Sequence, residues 1–207
     1  MIKDSVVILA NGDFPSHPIP HGILKDAQII ICCDGAVNHL VQNGMEPHYI
    51  LGDMDSIDDD LKNKYKNKIF KLSDQSENDL RKTIEWIENN GASKATLIGA
   101  TGKREDHSIA NIFTLLQYPT QLEIVLYTDF GIFSVVKDQH IFESFIGQNV
   151  SIFSADPKIK ITSNNLKYNL NNKSLTNLYY GSLNESIDDT FMITLSHGEI
   201  LVYQTFA

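Results

Sequence analysis

At 207 residues, 42% hydrophobic and 9% aromatic, the chain has ample material for a core and excludes global disorder. Its 26 acidic against 17 basic residues give a net charge of −9, which argues against nucleic acid as a partner because phosphate neutralisation needs a basic face. A nucleotide needs only a local basic pocket and stays open. No apolar stretch approaches a membrane span, so no membrane partner is expected. Met1 to Asp4 lead straight into Val6–Leu9 with no cleavage pattern. The two cysteines, Cys32 and Cys33, are adjacent in a strand-like run and should point to opposite faces. A disulfide between them is implausible, and a reduced pair in a cytoplasmic protein is expected.

Taken in chain order, the first part alternates apolar runs with helix-like segments. Ser5–Ala10, Gln28–Cys33, Tyr49–Leu51, Ile69–Leu72, Ala95–Ile98 and Glu123–Tyr127 have the continuous apolar character of strands buried on both faces. His17 and His21 fall in a segment with Pro15, Pro18 and Pro20 that reads as a solvated loop. A helix is predicted from Ser76 to Gly91, capped by Ser76 or Asn78, with Leu80, Ile84 and Ile87 as its apolar stripe. A second runs from about Asp106 to Gln117, with Ile109, Ile112, Phe113 and Leu116 facing a sheet. Alternating βα units imply an α/β fold, a doubly wound and mostly parallel sheet. The character changes near Lys137. From Gln139 onward short alternating segments broken by Asn, Gly, Asp and Ser predict a small antiparallel β-sandwich, with His197-Gly198-Glu199 as a hairpin turn. The expected domains are residues 1–137 and 138–207.

Acidic clusters stand at the ends of the apolar runs: Asp34-Gly35-Ala36, Gly52-Asp53-Met54-Asp55-Ser56, Asp74-Gln75 leading to Asp79, and Gly102-Lys103-Arg104-Glu105-Asp106-His107. Open α/β sheets bind ligands at the carboxyl ends of their strands. Carboxylates gathered there repel one another unless a cation sits between them, and Mg²⁺ takes oxygen ligands shared with substrate phosphates. Asp53 and Asp55, two apart at a strand end, should point to one side. The alternative of a solvated Asp-rich turn stands beside this. An EF-hand fails, because Ile57 and Asp58 occupy its fifth and sixth positions. A haloacid-dehalogenase-type Asp-x-Asp leaves Asp34 and the later clusters unused. Asp79, Lys82 and Thr83 share a helical face, either as a surface ion pair or as a metal and phosphate site at a helix start. Gly99 to Arg104 fails as a P-loop, since Leu97 holds the first glycine position and Arg104 the hydroxyl position. Arg104 still suits phosphate oxygens. Asn11-Gly12 after the first strand is either a phosphate approach or a plain turn.

These four clusters, in this order, resemble the thiamine pyrophosphokinase family over essentially the whole chain. The resemblance implies an α/β nucleotide domain followed by a β-sandwich, and a homodimer in which thiamine lies where one subunit's first domain meets the other's second. It implies transfer of the pyrophosphoryl group of ATP to the hydroxyl of thiamine, with Mg²⁺ as cofactor. Asp53, Asp55 and Asp79 become catalytic, and with Asp34 they form the metal set. Asp34, Gln75, Lys82 and Arg104 serve ATP and its phosphates; the residues themselves add Asn11, Asp106 and His107 to that set, with a structural cap contact as the alternative for His107. Gly181 to Glu185 resembles the family's thiamine loop, giving roles to Ser182, Asn184 and Glu185, with Leu183 where the family often has Ser. The family's C-terminal Trp is missing, and Tyr180, Tyr203 or Phe206 are the aromatic candidates. A pyrophosphokinase acting on a hydroxymethylpterin and a non-catalytic thiamine diphosphate-binding module are the competing readings.

Overall fold

The computed structural model describes residues 4–72, 77–118 and 120–207. The chain divides into two compact units, Met1–Thr114 with Tyr118–Asp129, and Leu115–Gln117 with Phe130–Ala207. The change of character expected near Lys137 falls inside a strand, Gly131–Glu143, beside an irregularity at Asp138, where φ is 59° and the register with the partner strand shifts.

In the first unit six strands, β1 (Asp4–Leu9), β2 (Ile30–Cys33), β3 (Tyr49–Gly52), β4 (Ile69–Lys71), β5 (Ala92–Ile98) and β6 (Glu123–Tyr127), lie in the order β6-β5-β1-β2-β3-β4. Every pairing among them is parallel. Chain order reverses between β1 and β5, so the sheet has a switch point where loops diverge to either side and leave a crevice. Ile8, Ile31, Ile50, Leu51, Leu97 and Ile98 are fully buried, as the continuous apolar runs require. Cys32 packs in the core layer that holds Val37 and Leu40 of the helix α2 (Ala36–Gln42), while the Cys33 thiol donates to Thr83 Oγ1 at 3.4 Å. The two cysteines thus face opposite sides of the sheet, and burial pushes the Cys33 thiol up to about 12.

Helices follow the strands. The segment read as a Pro-rich loop is instead the helix α1 (Pro18–Lys25), with prolines in its first turn and His17 as its cap, accepting from Ile19 N. Proline fits a first turn because its missing N–H would be unsatisfied there anyway, and this positional rule outweighs proline's reputation as a breaker. The helix α3 is Asp59–Lys64. The helix predicted from Ser76 runs as α4 (Asp79–Asn89), capped by Asn78, whose Oδ1 accepts from Arg81 N at 3.0 Å. Ser76, the other proposed cap, lies outside the described residues. Leu80, Ile84 and Ile87 are its buried stripe. The last helix, α5 (Glu105–Gln117), differs from its predicted packing: Ile109 is 60% exposed, and the buried residues near its end are Leu115 and Leu116. Asn111 takes an inward position instead, donating to Ala100 O at 2.8 Å.

The second unit is antiparallel, with β7 (Gly131–Glu143), β8 (Asn149–Phe153), β9 (Ile161–Asn164), β10 (Asn184–Glu185) and β11 (Thr190–Thr205). No hairpin forms at His197-Gly198-Glu199. Both halves of β11 pair with β7, and the register shifts between Thr194 and Glu199. Gly198, at φ 68°, belongs to a bulge rather than a chain reversal. The bulge lets one strand serve two partners, β9 through Met192–Leu195 and β8 through Leu201–Gln204. A shared core of Val150, Ile152, Ile161, Phe191, Ile193, Ile200 and Val202 results, which is the sandwich the alternation predicted. Leu166 makes only an isolated bridge, to Ser186.

Phe191 is 1% exposed and stacks on Phe142 at 4.8 Å between ring centroids. Phe191→Ala should cost about 3–5 kcal/mol by leaving a cavity. We expect Tm to fall by roughly 10 °C in thermal unfolding; a shift under about 2 °C would mean that the core repacks freely.

Candidate active site

A cleft of about 530 Å³ opens at the carboxyl end of the parallel sheet. Ala10 to Gly12 line it after β1, Cys33 and Asp34 after β2, Asp53 to Ser56 after β3, Asn78 to Leu80 at the start of α4, and Ala100 and Gly102 to Arg104 after β5. Five successive strand ends thus supply one site, at the switch point where open α/β sheets bind ligands.

Asp34, Asp53 and Asp55 each place a carboxylate oxygen within 4.8 Å of the others. They do so through turns and not through the pleat of a strand, as the sequence reading had it. β3 ends at Gly52, and Met54 turns the chain back with φ 72°. Asp34 also sits in the left-handed region, at φ 43°. A Cβ at Gly52 would lie 2.8 Å from the Asp34 Cβ, so only glycine admits this approach. Ser56 ties the group together: its N–H donates to Asp34 Oδ2 at 3.2 Å and its hydroxyl to Asp55 Oδ1 at 2.7 Å. The Asp55 N–H donates to Asp53 Oδ1 at 3.2 Å.

Asp34 is 4% exposed, and its Oδ1 is buried with no hydrogen-bond partner among the described residues. An orphaned carboxylate oxygen facing two other carboxylates is unstable as it stands and well suited to a cation. The donors are all oxygens, which fits a hard divalent ion. Burial raises the Asp34 carboxyl above its ordinary range, reinforced by Asp55 and Asp79 and opposed by the two Ser56 hydrogen bonds. Asp55 moves the other way, held low by the Ser56 hydroxyl.

Asp79, grouped with these acids by sequence, stands outside the trio. Its Oδ1 is 2.7 Å from Lys82 Nζ, and the Lys82 side chain is 9% exposed. This is not the solvated surface pair of the plain alternative, because one partner is buried at the cleft. Arg104 lines the cleft, and Asp106 orients it: Arg104 Nε donates to Asp106 Oδ1 at 3.0 Å and Nη2 to Oδ2 at 2.6 Å. That fork pulls Asp106 down to about 2. His107 lines the cleft beside it, and its backbone N–H donates to Asp106 Oδ1 at 3.0 Å. Asn11 is at the site, accepting from Lys103 Nζ at 3.1 Å. Gln75 lies outside the described residues. Sequence reasoning missed Asn78, Asn111 and Ser56 as parts of the site; Ser56 was legible as the residue closing the Asp-rich turn.

The proposed thiamine loop lies in the second unit. Asn184 is 7% exposed, and its amide ties the loop to Tyr168: Nδ2 donates to Tyr168 O at 2.9 Å, and Oδ1 accepts from Tyr168 N at 3.0 Å and Glu185 N at 2.9 Å. Glu185 pairs with Lys167 at 3.1 Å. The Ser182 hydroxyl donates to Tyr179 O at 2.8 Å. Leu183 is 87% exposed at φ 60°.

Residues 21–126 match the family model described as thiamin pyrophosphokinase, catalytic domain, and residues 131–203 match that described as thiamin pyrophosphokinase, substrate-binding domain. The chain belongs to the thiamin pyrophosphokinase family. It is similar to thiamine pyrophosphokinase 1 of Oryza sativa subsp. japonica, 29% identical over 187 residues, which span 76% of this chain and 70% of that protein. It is also similar to thiamine pyrophosphokinase 1 of Arabidopsis thaliana, 28% identical over 190 residues, or 77% and 70% of the two chains. Among solved structures, thiamine pyrophosphokinase from Bacillus subtilis superposes with a TM-score of 0.79 at 20% identity, covering 97% of this chain and 98% of that one. Thiamin pyrophosphokinase from Candida albicans gives 0.78 at 20% identity, covering 98% and 89%. These structures share the fold, parallel strands first and antiparallel strands after. The match of both halves to this family favours thiamine over the pterin alternative.

Asp34→Asn should raise the melting temperature of metal-free protein at pH 7, because it removes a buried charge. An acid whose folded pKa is raised costs stability as pH climbs from its unfolded value, about 3.9, through the folded one. The gain should therefore shrink toward pH 4. Added Mg²⁺ should stabilise the wild type and not the variant. A variant less stable than wild type at pH 7 without metal would show that the charge is already compensated.

Proposed function

We propose that this chain is a divalent-metal-dependent ATP:thiamine diphosphotransferase, with Mg²⁺ as the metal, releasing thiamine diphosphate and AMP. The observation that carries this reading is the trio Asp34, Asp53 and Asp55, one oxygen of which is buried with no partner among the described residues, beside Lys82 and Arg104 in one cleft. A metal-free binding module has no use for three crowded carboxylates, so the non-catalytic alternative is disfavoured.

A divalent ion held by Asp34, Asp53 and Asp55 would draw the phosphate oxygens together and spread their charge. The residues do the rest by alignment and neutralisation. Arg104, its fork fixed by Asp106, takes phosphate oxygens at the mouth of the cleft, with Asn11 and His107 beside it. Lys82 takes them at the start of α4. Gln75 keeps its expected place among the substrate contacts. The thiamine hydroxyl oxygen attacks the β-phosphorus, the bond from that phosphorus to the bridging oxygen breaks, and AMP leaves. The hydroxyl proton goes to Asp79, which stands apart from the metal trio and is freed when Lys82 turns to the phosphates.

We assign thiamine to the loop Ser182 to Glu185. Asn184 shapes the loop through its Tyr168 hydrogen bonds, and Ser182 and Glu185 reach the ligand. Tyr179, Tyr180, Leu183 and Ile187 are all at least 50% exposed around it, an apolar surface that a second copy of the chain would cover. A closed two-fold homodimer would complete each site from both subunits. The buried, reduced Cys32 and Cys33 fit a cytoplasmic setting.

The direct test is AMP formation from ATP with thiamine, with a pterin alcohol, or with neither. Only thiamine should support it, and Asp53→Asn and Asp55→Asn should each lower turnover by at least ~100-fold, in the range for lost charge stabilisation. Near-normal turnover of both variants at saturating Mg²⁺ would reject the metal assignment. For the shared site, Asp55→Asn protomers are mixed with protomers carrying Asn184→Ala and Glu185→Ala. Each parent should be almost inactive, and heterodimers should regain activity toward half of wild type. No recovery, with subunit exchange confirmed, places the whole site in one chain.

A further inference from the structure

The turn between β5 and α5 carries a second cation that neither the metal site nor the Arg104–Asp106 pair explains. Lys103 lines the cleft. Its backbone is left-handed, φ 58°, at a position that side chains other than glycine rarely take. Such an outlier at a site asks for a functional reason. Its ammonium group lies 3.1 Å from Asn11 Oδ1 and 3.2 Å from His39 Nε2 on α2. Both contacts are made to groups that need carry no charge.

The other cleft cations differ. Lys82 is matched by Asp79 at 2.7 Å, and Arg104 by Asp106 at 2.6 Å. Among the described residues no carboxylate lies within ion-pair distance of Lys103. A cleft rich in acids thus holds one ammonium whose charge is unspent, on a short turn that aims it across Asn11. An ammonium carries three donors, so at least one is left for a ligand after Asn11 and His39. An anion entering the cleft meets Lys103 as the cation that costs no ion pair to recruit.

We propose that Lys103 is a phosphate ligand for the nucleotide, held at rest by Asn11 and His39 and turned onto a phosphate oxygen when the triphosphate binds. The inference rests on the nucleotide reading given above and deepens it by naming a further contact. As a compact point charge Lys103 serves charge neutralisation rather than a fixed bidentate geometry. Its contribution should therefore scale with ligand charge and weaken with salt.

The test is calorimetric titration of full-length protein with Mg-ATP, Mg-AMP and inorganic tripolyphosphate, comparing wild type with Lys103→Gly and Lys103→Arg. Glycine suits the left-handed backbone, so the glycine variant should melt at or above the wild-type temperature and any binding loss is not a folding loss. We expect Lys103→Gly to weaken ATP and tripolyphosphate by about tenfold, AMP much less, and the salt dependence of ATP binding to flatten. Lys103→Arg should restore most of the loss. Wild-type affinity for ATP and tripolyphosphate in the glycine variant overturns the proposal, as does an equal loss for AMP. Thiamine-dependent AMP release by the wild type is followed in the same preparations. If it is absent while the glycine variant still loses tripolyphosphate, the thiamine reading fails and the Lys103 contact stands. If it is present while affinities are unchanged, only the Lys103 contact fails.

Discussion

Like charges held close together set the terms for this structure. Asp34, Asp53 and Asp55 are brought within a few ångströms by backbone that leaves them little choice. Two of the three, Asp53 and Asp55, flank Met54 in the turn between β3 and Ser56, and Asp34 is pinned under Gly52. The cost is visible in the orphaned Asp34 oxygen and in the opposite displacement of the Asp34 and Asp55 carboxyls. A fold that minimised its own free energy alone would not gather these groups. The arrangement makes sense as one half of an interaction whose other half is a cation and a polyphosphate.

The parallel sheet makes that crowding possible. Six strands with one polarity deliver five loops to one edge, and the reversal of order between β1 and β5 separates the loops enough to admit a ligand. The buried strands are rigid supports. Asn78 caps the start of α4, and Asn111, midway along α5, ties that helix to the β5 loop through Ala100 O. The second unit obeys a different logic. Its long strand β11 changes partner at a bulge, and the loop bearing Ser182 to Glu185 is held by side-chain amide bonds and a two-residue strand instead of a continuous ladder.

Paired charges elsewhere in the cleft carry an order of their own. Arg104 is organised by Asp106 and Lys82 by Asp79, so each of these two cations has a carboxylate holding its geometry. The exposed Arg104–Asp106 pair adds little to stability. Its value is in positioning, because a guanidinium fixed by one carboxylate presents its remaining donors in a set direction.

What the sequence determined by itself was set by short-range pattern. Apolar runs marked all six parallel strands; burial on both faces accounts for β2 and β3, whereas β4 at the sheet edge is largely exposed and β6 alternates. The spacing of Leu80, Ile84 and Ile87 marked α4. Four acidic clusters following strands pointed to a metal and phosphate site, and their order pointed to the family. What only the tertiary structure decided depended on contacts between distant residues. The hairpin at Gly198 and the bulge that replaced it use the same residue types, and pairing of both halves of β11 with β7 chose between them. The Pro18 helix was hidden because proline breaks interiors yet favours first turns. Ile109 looked inward by spacing, but Asn111 won that place through a hydrogen bond to another loop. Spacing already put Asp79 and Lys82 on one helical face; burial of Lys82 at the cleft decided that the pair is not a surface one. Lys103 stood unremarked between Gly102 and Arg104, because a cation's significance lies in which carboxylates surround it, and those come from other strands.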